Sequence, residues 1–211
     1  MNPISAAILA GGRATRFGGA DKASLVVGGR RIIDRQLELL AAFSDDVMVV
    51  VNDRTRYPDL DVPVVMDRVA GAGPLGGVYT ALAEARHSRV IVLACDLPFV
   101  SPALLDRLVV ASEPGRHEQD AVVPRTTRGL EPLAAVYRRH CAEVARRCIE
   151  SGELRMTAFL AELRVGELDA GAVAGENEET WFENINTPHD YARARGRVEL
   201  DKKPFEDRIT E

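Results

Sequence analysis

AILAGGRATRFGGADKA, residues 7–23, joins an apolar stretch to a glycine-dense loop that carries Arg13, Arg16 and Lys22. Gly11, Gly12, Gly18 and Gly19 let the backbone enter φ > 0 and bring N–H groups close to a ligand, while the three cations offset the charge of a polyphosphate. A strand that empties into such a loop predicts an α/β protein with bound phosphate. The alternative is a surface loop whose glycines serve turns and whose cations are solvated. Two common phosphate motifs are absent. A Walker loop needs Gly-Lys-Ser/Thr in succession, whereas Lys22 stands between Asp21 and Ala23. The dinucleotide fingerprint needs G-x-G-x-x-G, whereas Gly11 and Gly12 are adjacent and the next glycine is Gly18.

Short apolar runs at residues 4–10, 47–51, 62–66, 90–94 and 121–123 read as buried strands, because they are brief and rich in β-branched side chains. Helical patterns alternate with them at 32–43, 78–85 and 102–111; in the first, Ile33, Leu37, Leu40 and Phe43 form one stripe. The alternation predicts a three-layer α/β/α fold with a mostly parallel, Rossmann-like sheet. Ligands of such sheets bind beyond the carboxyl ends of the strands, where the loops after Leu9, Val51, Met66 and Ala94 emerge. Past about Arg125 the alternation weakens into 131–137, a helix over about 140–151, another near 156–163, and the segment 181–187. A single domain over 1–197 is expected, with a nucleotide-binding half to about 124 and an acceptor half after it. Residues 198–211 are rich in charge with little apolar periodicity and are expected to form a flexible tail.

The 211 residues suffice for one substantial core. A formal net charge of −5 offers no basic field for nucleic acid. The N-terminus has no basic and apolar leader pattern, and no apolar run approaches the ~18 to 20 residues that span a bilayer, so a cytoplasmic protein without a membrane partner is expected. Three cysteines, Cys95, Cys141 and Cys148, fit no C-x-x-C pattern and read as reduced core residues, the last two on one helical face.

The strand at 90–94 delivers Asp96 to the mouth of the sheet. Magnesium takes few protein ligands and completes its octahedron with water and phosphate oxygens, so one carboxylate can anchor it; the alternative is a cap on the helix that starts near Ser101 and Pro102. Asn52 and Asp67 each follow a strand end and can read a base or ribose hydroxyls, or else organise their own turns. GAGPLGG, residues 71–77, opens a helix whose N-terminus, expected near 75–78, either favours a triphosphate or packs closely on the sheet. Arg155 enters a helix and is either solvated or a phosphate ligand. Asn184 and Asn186 lie two apart before a helix that Thr187-Pro188 starts, and either complete a site or cap that helix. His87, His117, His140 and His189 sit in polar stretches away from the strand ends and receive no role. No G-x-S-x-G or H-E-x-x-H pattern is present.

LAGG at residues 9–12, Arg16-Phe17-Gly18, Asp21-Lys22, GPL-x-G, CDLP and NINTP together resemble the molybdenum cofactor guanylyltransferases, within the nucleotidyltransferases; the resemblance runs from residue 4 to 195. Relatives that transfer cytidylyl or uridylyl groups carry LAAG where this chain has LAGG. Phe17 departs from the commoner Met, and Gly19-Ala20 is one residue longer than usual, which touches only loop geometry. The resemblance implies a nucleotide-diphospho-sugar transferase-like fold. It also implies contacts to nucleotide from Leu9, Ala10, Gly11, Gly12, Lys22, Asn52, Asp67 and Asp96, catalytic roles for Arg16, Lys22 and Asp96, and Mg²⁺ on Asp96. Arg155, Asn184 and Asn186 fall in segments similar to the family's acceptor half.

The expected reaction is transfer of GMP from GTP to the terminal phosphate of molybdopterin, with release of pyrophosphate. A phosphate monoester, with a second pKa of about 6, can attack without a protein base. A recipient molybdoenzyme or its chaperone is a further expected partner. The alternatives are a cytidylyltransferase acting on molybdopterin or another phosphorylated small molecule, and a non-catalytic module that delivers nucleotide or cofactor.

Overall fold

In the computed structural model, which describes residues 3–11, 21–115, 118–175 and 178–202, each apolar run becomes a strand and each periodic segment a helix. The order is β1 (Ser5–Leu9), β2 (Val26–Val27), β3 (Arg30–Arg31), α1 (Ile32–Ala41), β4 (Asp46–Val51), β5 (Val64–Met66), α2 (Gly73–Glu84), β6 (Arg89–Ala94) and α3 (Pro102–Ala111). There follow β7 (Ala121–Thr126), β8 (Gly129–Leu130), β9 (Ala134–Arg138), α4 (Cys141–Glu150), α5 (Met156–Ala161), β10 (Val165–Asp169), α6 (Ala170–Ala174), α7 (Glu178–Trp181) and α8 (Pro188–Lys202). Strands pair in the order β10-β7-β9-β6-β1-β4-β5, with β8 on β7 and a separate β2-β3 hairpin. β1 pairs in parallel with both β4 and β6, and β9 alone on the main path runs antiparallel, between β6 and β7.

Alternate residues of β1 feed the two faces of the sheet, as the period of 2 requires. Ala6 and Ile8 join the cluster with Ile33 and Leu40 of α1 and Leu104, Leu105 and Leu108 of α3. Ala7 and Leu9 join the cluster with Leu75, Val78 and Leu82 of α2, Cys141, Ala145 and Cys148 of α4, and Phe159 of α5. The three-layer expectation holds, and both helical cysteines share the buried face of α4. Full burial of side chains such as Ile8 and Leu93 contributes roughly 1.5–3 kcal/mol each. Among the described residues no helix is long and apolar enough to cross a membrane.

The structure departs from the sequence-based expectation in several places. α2 starts at Gly73, ahead of the expected start near 75–78: Pro74 presets the first turn, and Gly76 and Gly77 lie within the helix. A Cβ on Gly76 would stand 3.0 Å from Ala72 Cβ and 3.1 Å from the Asp67 carboxylate, so close packing explains Gly76. The sheet draws on both halves of the chain, because β9, from after residue 124, inserts between β6 and β7. β10 escapes the pattern because its residues are mostly half-buried or exposed. The stretch expected to be a tail from 198 begins as helix, since α8 continues through Lys202.

Candidate active site

Backbone ladders continue past the strand ends and fix three loop starts on one edge of the sheet. Ala10 N–H donates to Val50 O at 2.8 Å, Asp67 N–H to Val51 O at 2.7 Å, and Cys95 N–H to Leu9 O at 3.2 Å. Leu9, Gly11, Asn52 and Asp67 thereby line one arm of a crevice, a cavity of about 780 Å³ that also takes in Gly71, Gly73 and Gly77. That volume lies in the range of roughly 300–1,000 Å³ typical of small-molecule sites. Leu9, Ala10, Gly11, Lys22, Cys95 and Asp96 line the adjoining arm.

Lys22 is the meeting point of distant segments. Asp21 caps the short 3₁₀ turn Lys22–Ser24, accepting from Ala23 N–H at 3.2 Å and from Ser24 Oγ at 3.0 Å. The turn aims Lys22 Nζ at Asn186 Oδ1, 2.5 Å away, and brings it within 3.8 Å of Asp96 Oδ2. Asp96 is itself held by the later segment, whose Ile185 N–H donates to Asp96 O at 2.9 Å. The helix-capping alternatives are filled by other residues. Ser101 Oγ caps α3. Thr187 and Asp190 cap α8 reciprocally, with Thr187 Oγ1 accepting from Asp190 N–H at 3.1 Å and Asp190 accepting from the N–H groups of Asn186 and Thr187. Asp96, on the crevice wall, and the Asn186 side chain, bound to Lys22, are therefore not spent on capping.

Burial raises the Asp96 carboxyl above the usual aspartate range, with Lys22 as the opposing influence. Cys95, expected in the core, stands half-buried on the crevice wall. Burial and then the Asp96 and Asp21 carboxylates push its thiol up to about 12, so it is no nucleophile at neutral pH.

Gly11 has a specific steric reason to be glycine: a Cβ there would lie 2.8 Å from Asn52 Oδ1. Asn52 is exposed, and no described residue hydrogen-bonds its side chain. Asp67 does organise its own turn, accepting from Val69 N–H at 3.1 Å with Thr80 Oγ1 also at 3.1 Å, while it remains on the crevice wall. Arg155 is exposed, its guanidinium donates twice to Glu153 at 2.8 Å, and it lines neither arm. Asn184 is half-buried beside Ile185, with no contact to Lys22 such as Asn186 makes. Gly12, Arg13, Arg16, Phe17, Gly18, Gly19 and Ala20 lie outside the described residues.

The chain that carries this crevice is similar in sequence and in fold to known proteins. The family model described as the MobA-like NTP transferase domain matches residues 6–167. This chain belongs to that family. The protein named molybdenum cofactor guanylyltransferase from Desulfosudis oleivorans is 32% identical over 203 residues, covering 96% of this chain and 99% of its own length. The crystal structure of molybdopterin-guanine dinucleotide biosynthesis protein A from Archaeoglobus fulgidus superposes with a TM-score of 0.79 at 28% identity, covering 92% of this chain and 98% of that one. At 20% identity, 2-C-methyl-D-erythritol 4-phosphate cytidylyltransferase from Thermus thermophilus shares the fold, with a TM-score of 0.69 over 94% of this chain and 100% of that one. The chain is a nucleotidyltransferase by family and by fold.

Two site features escape the sequence reading. Arg56 lines both arms of the crevice. Gln36, almost fully buried on α1, donates from Nε2 to Ala94 O at 2.8 Å and Leu97 O at 3.0 Å, clamping the turn that carries Asp96. A polar residue on the buried face of α1 was the available signal for Gln36, because a buried amide must find partners.

Proposed function

We propose that this chain transfers GMP from GTP to the terminal phosphate of molybdopterin, releasing pyrophosphate and forming the guanine dinucleotide form of the cofactor. The observation that carries the reading is the Lys22 junction, 2.5 Å from Asn186 Oδ1 and 3.8 Å from Asp96 Oδ2 at the strand ends. It puts a cation beside the Asp96 carboxylate in the second arm, where charge on a transferring phosphoryl group must be neutralised. The guanylyltransferase names of the relatives support guanine as the base.

The residues fit a hard divalent cation. Among the described residues no group of three or more His, Cys, Asp or Glu could hold a metal, so a transition-metal cage is not what this crevice provides. Asp96 has an oxygen donor with no described side-chain donor in hydrogen-bond range, the chemistry of a Mg²⁺ anchor whose other ligands are water and phosphate oxygens. When bound, the ion would withdraw charge from the triphosphate. Lys22 would orient and neutralise the phosphates, and the backbone at Leu9, Ala10 and Gly11 would approach the nucleotide. Gly12 and Arg16 belong to the same proposed cradle. Asn52 and Asp67 would take the base and ribose. Arg155, on leaving Glu153, is the candidate for the acceptor phosphate, with Asn184 and Asn186 beside the transfer point.

No protein base is needed. His87 pairs with Asp45 and His140 with Asp120, and neither lines the crevice. The acceptor phosphate, with its second pKa near 6, is largely dianionic at neutral pH.

The test is pyrophosphate release on addition of molybdopterin with GTP, CTP, ATP or UTP, each with and without Mg²⁺. Turnover with GTP alone, dependent on Mg²⁺, is the expected result. Faster turnover with CTP overturns the choice of base, and tight Mg·GTP binding without pyrophosphate release makes the chain a carrier instead.

A further inference from the structure

The loop between β4 and β5 holds a residue in a conformation that a bulky side chain rarely adopts. Tyr57 has φ +59° and is almost fully buried, its ring packed in the core with Ile8, Val49 and Leu97. A non-glycine residue in the left-handed region carries a conformational cost and persists only where its surroundings hold it. Here burial of an aromatic ring offsets that cost. The turn before it is also fixed: Asp53 accepts from Thr55 N–H at 2.9 Å and Thr55 Oγ1 at 2.7 Å, and Arg56 N–H donates to Asp53 O at 3.2 Å. The backbone of Arg56 is thus pinned on both sides.

The pinned side chain stands where the two arms of the crevice join, and it lines both. Its closest described ionic partner is Asp21, at 3.8 Å from Nη1, too far for a hydrogen bond. Asp21 already spends its oxygens on the Lys22 turn. Arg31, by contrast, has Asp34 and Asp59 at 2.8 and 2.7 Å. Arg56 therefore presents unspent planar donors at the passage between the base arm and the Lys22–Asp96 arm, the geometry that recognises phosphate in two-point fashion.

We propose that Arg56 is a phosphate-binding residue of this site, which grips the nucleotide's phosphates at the junction of the arms, with the strained, buried Tyr57 as the anchor that holds it there. This rests on the nucleotidyl-transfer reading. A nucleotide with its base against Asn52 and Asp67 and its phosphates toward Lys22 must pass Arg56, whose loose link to Asp21 is given up for the ligand.

Calorimetric titration of the full chain with GTP, GMP and guanosine, in the presence of Mg²⁺, tests it on the wild type, Arg56→Ala and Arg56→Lys. Arg56→Ala should weaken GTP at least tenfold and GMP less, leave guanosine within twofold and leave Tm unchanged. Arg56→Lys should recover only part of the loss, because a single ammonium cannot make the paired contact. GTP affinity within twofold of wild type overturns the proposal, as does an equal loss for guanosine. A rise confined to the KM of the phosphorylated acceptor assigns Arg56 to the other phosphate and overturns it too. A wild type that binds no nucleoside triphosphate refutes the underlying reading, whereas wild-type binding with an unaffected variant refutes only the role of Arg56.

Discussion

The two edges of the sheet treat carboxylates in opposite ways. At the amino ends of the strands, Asp46 takes Ser5 Oγ at 2.5 Å, Arg86 N–H at 2.9 Å and Arg86 Nε at 2.9 Å. Asp120 takes Arg164 N–H at 2.9 Å, its guanidinium at 3.0 and 2.9 Å, and His140 at 3.0 Å. At the carboxyl ends, the side-chain partner of Asp96 among the described residues is Lys22 at 3.8 Å, too far for a hydrogen bond. Side-chain exposure alone does not separate them, since the Asp96 side chain is 25% exposed and those of Asp46 and Asp120 are each 13% exposed. Asp96 differs in two ways: it is more deeply surrounded by protein, and it has fewer donors. The Arg164 hydrogen bonds hold Asp120 well below the aspartate range; for Asp46, burial pulls upward but Ser5 and Arg86 together outweigh it. Burial holds Asp96 above the range. A satisfied carboxylate ties strands together, whereas an under-partnered one is stored binding capacity, and storing it destabilises the fold.

The largest effect that would break this comparison is on turnover. Lys22→Ala and Asp96→Asn should each lower kcat/KM about 10²–10³-fold with the circular dichroism spectrum unchanged; near-native GMP transfer by folded Lys22→Ala would remove the crevice from the chemistry. Next comes Asp120→Asn, which should cost about 1–3 kcal/mol of stability at pH 7 and leave kcat per folded molecule unaltered. Because the Asp120 pKa is lowered on folding, that deficit should be full above the unfolded aspartate value of about 4 and shrink as pH falls below it, read by urea denaturation across pH 3–8. Gly11→Ala should displace the Asn52 side chain and weaken nucleotide binding about tenfold, or about 1.4 kcal/mol, with little change in Tm because Asn52 is exposed and can move. The smallest and most discriminating effect is the stability of Asp96→Asn. Its raised pKa means that ionisation costs the wild type stability as pH rises from the ordinary aspartate value through the folded one, so the variant should gain on the wild type over that interval and match it below. A variant less stable than wild type at pH 8 would place Asp96 with the satisfied carboxylates of the opposite edge.

Much of this was legible in the chain itself. Runs such as Val49-Val50-Val51 and Ile91-Val92-Leu93 are apolar on both faces, which only a strand covered on both sides requires, and the strand-end positions of Asn52, Asp67 and Asp96 followed from those runs. Weak periodicity hid β10 and the insertion of β9, where half-buried positions and nonlocal pairing replace pattern.

What the sequence by itself determined is the layered, mostly parallel sheet and the strand ends from which Asn52, Asp67 and Asp96 emerge, because these depend on period and composition. Only the tertiary structure decided which polar residues meet: Lys22 with Asn186 across 164 positions, Gln36 with the carbonyls around Asp96, and Arg56 at the junction of the arms. The physical reason is that a side chain's hydrogen-bond partner is set by where burial places the backbone. In Tyr57 that force is strong enough to hold a residue in a conformation its own chemistry disfavours.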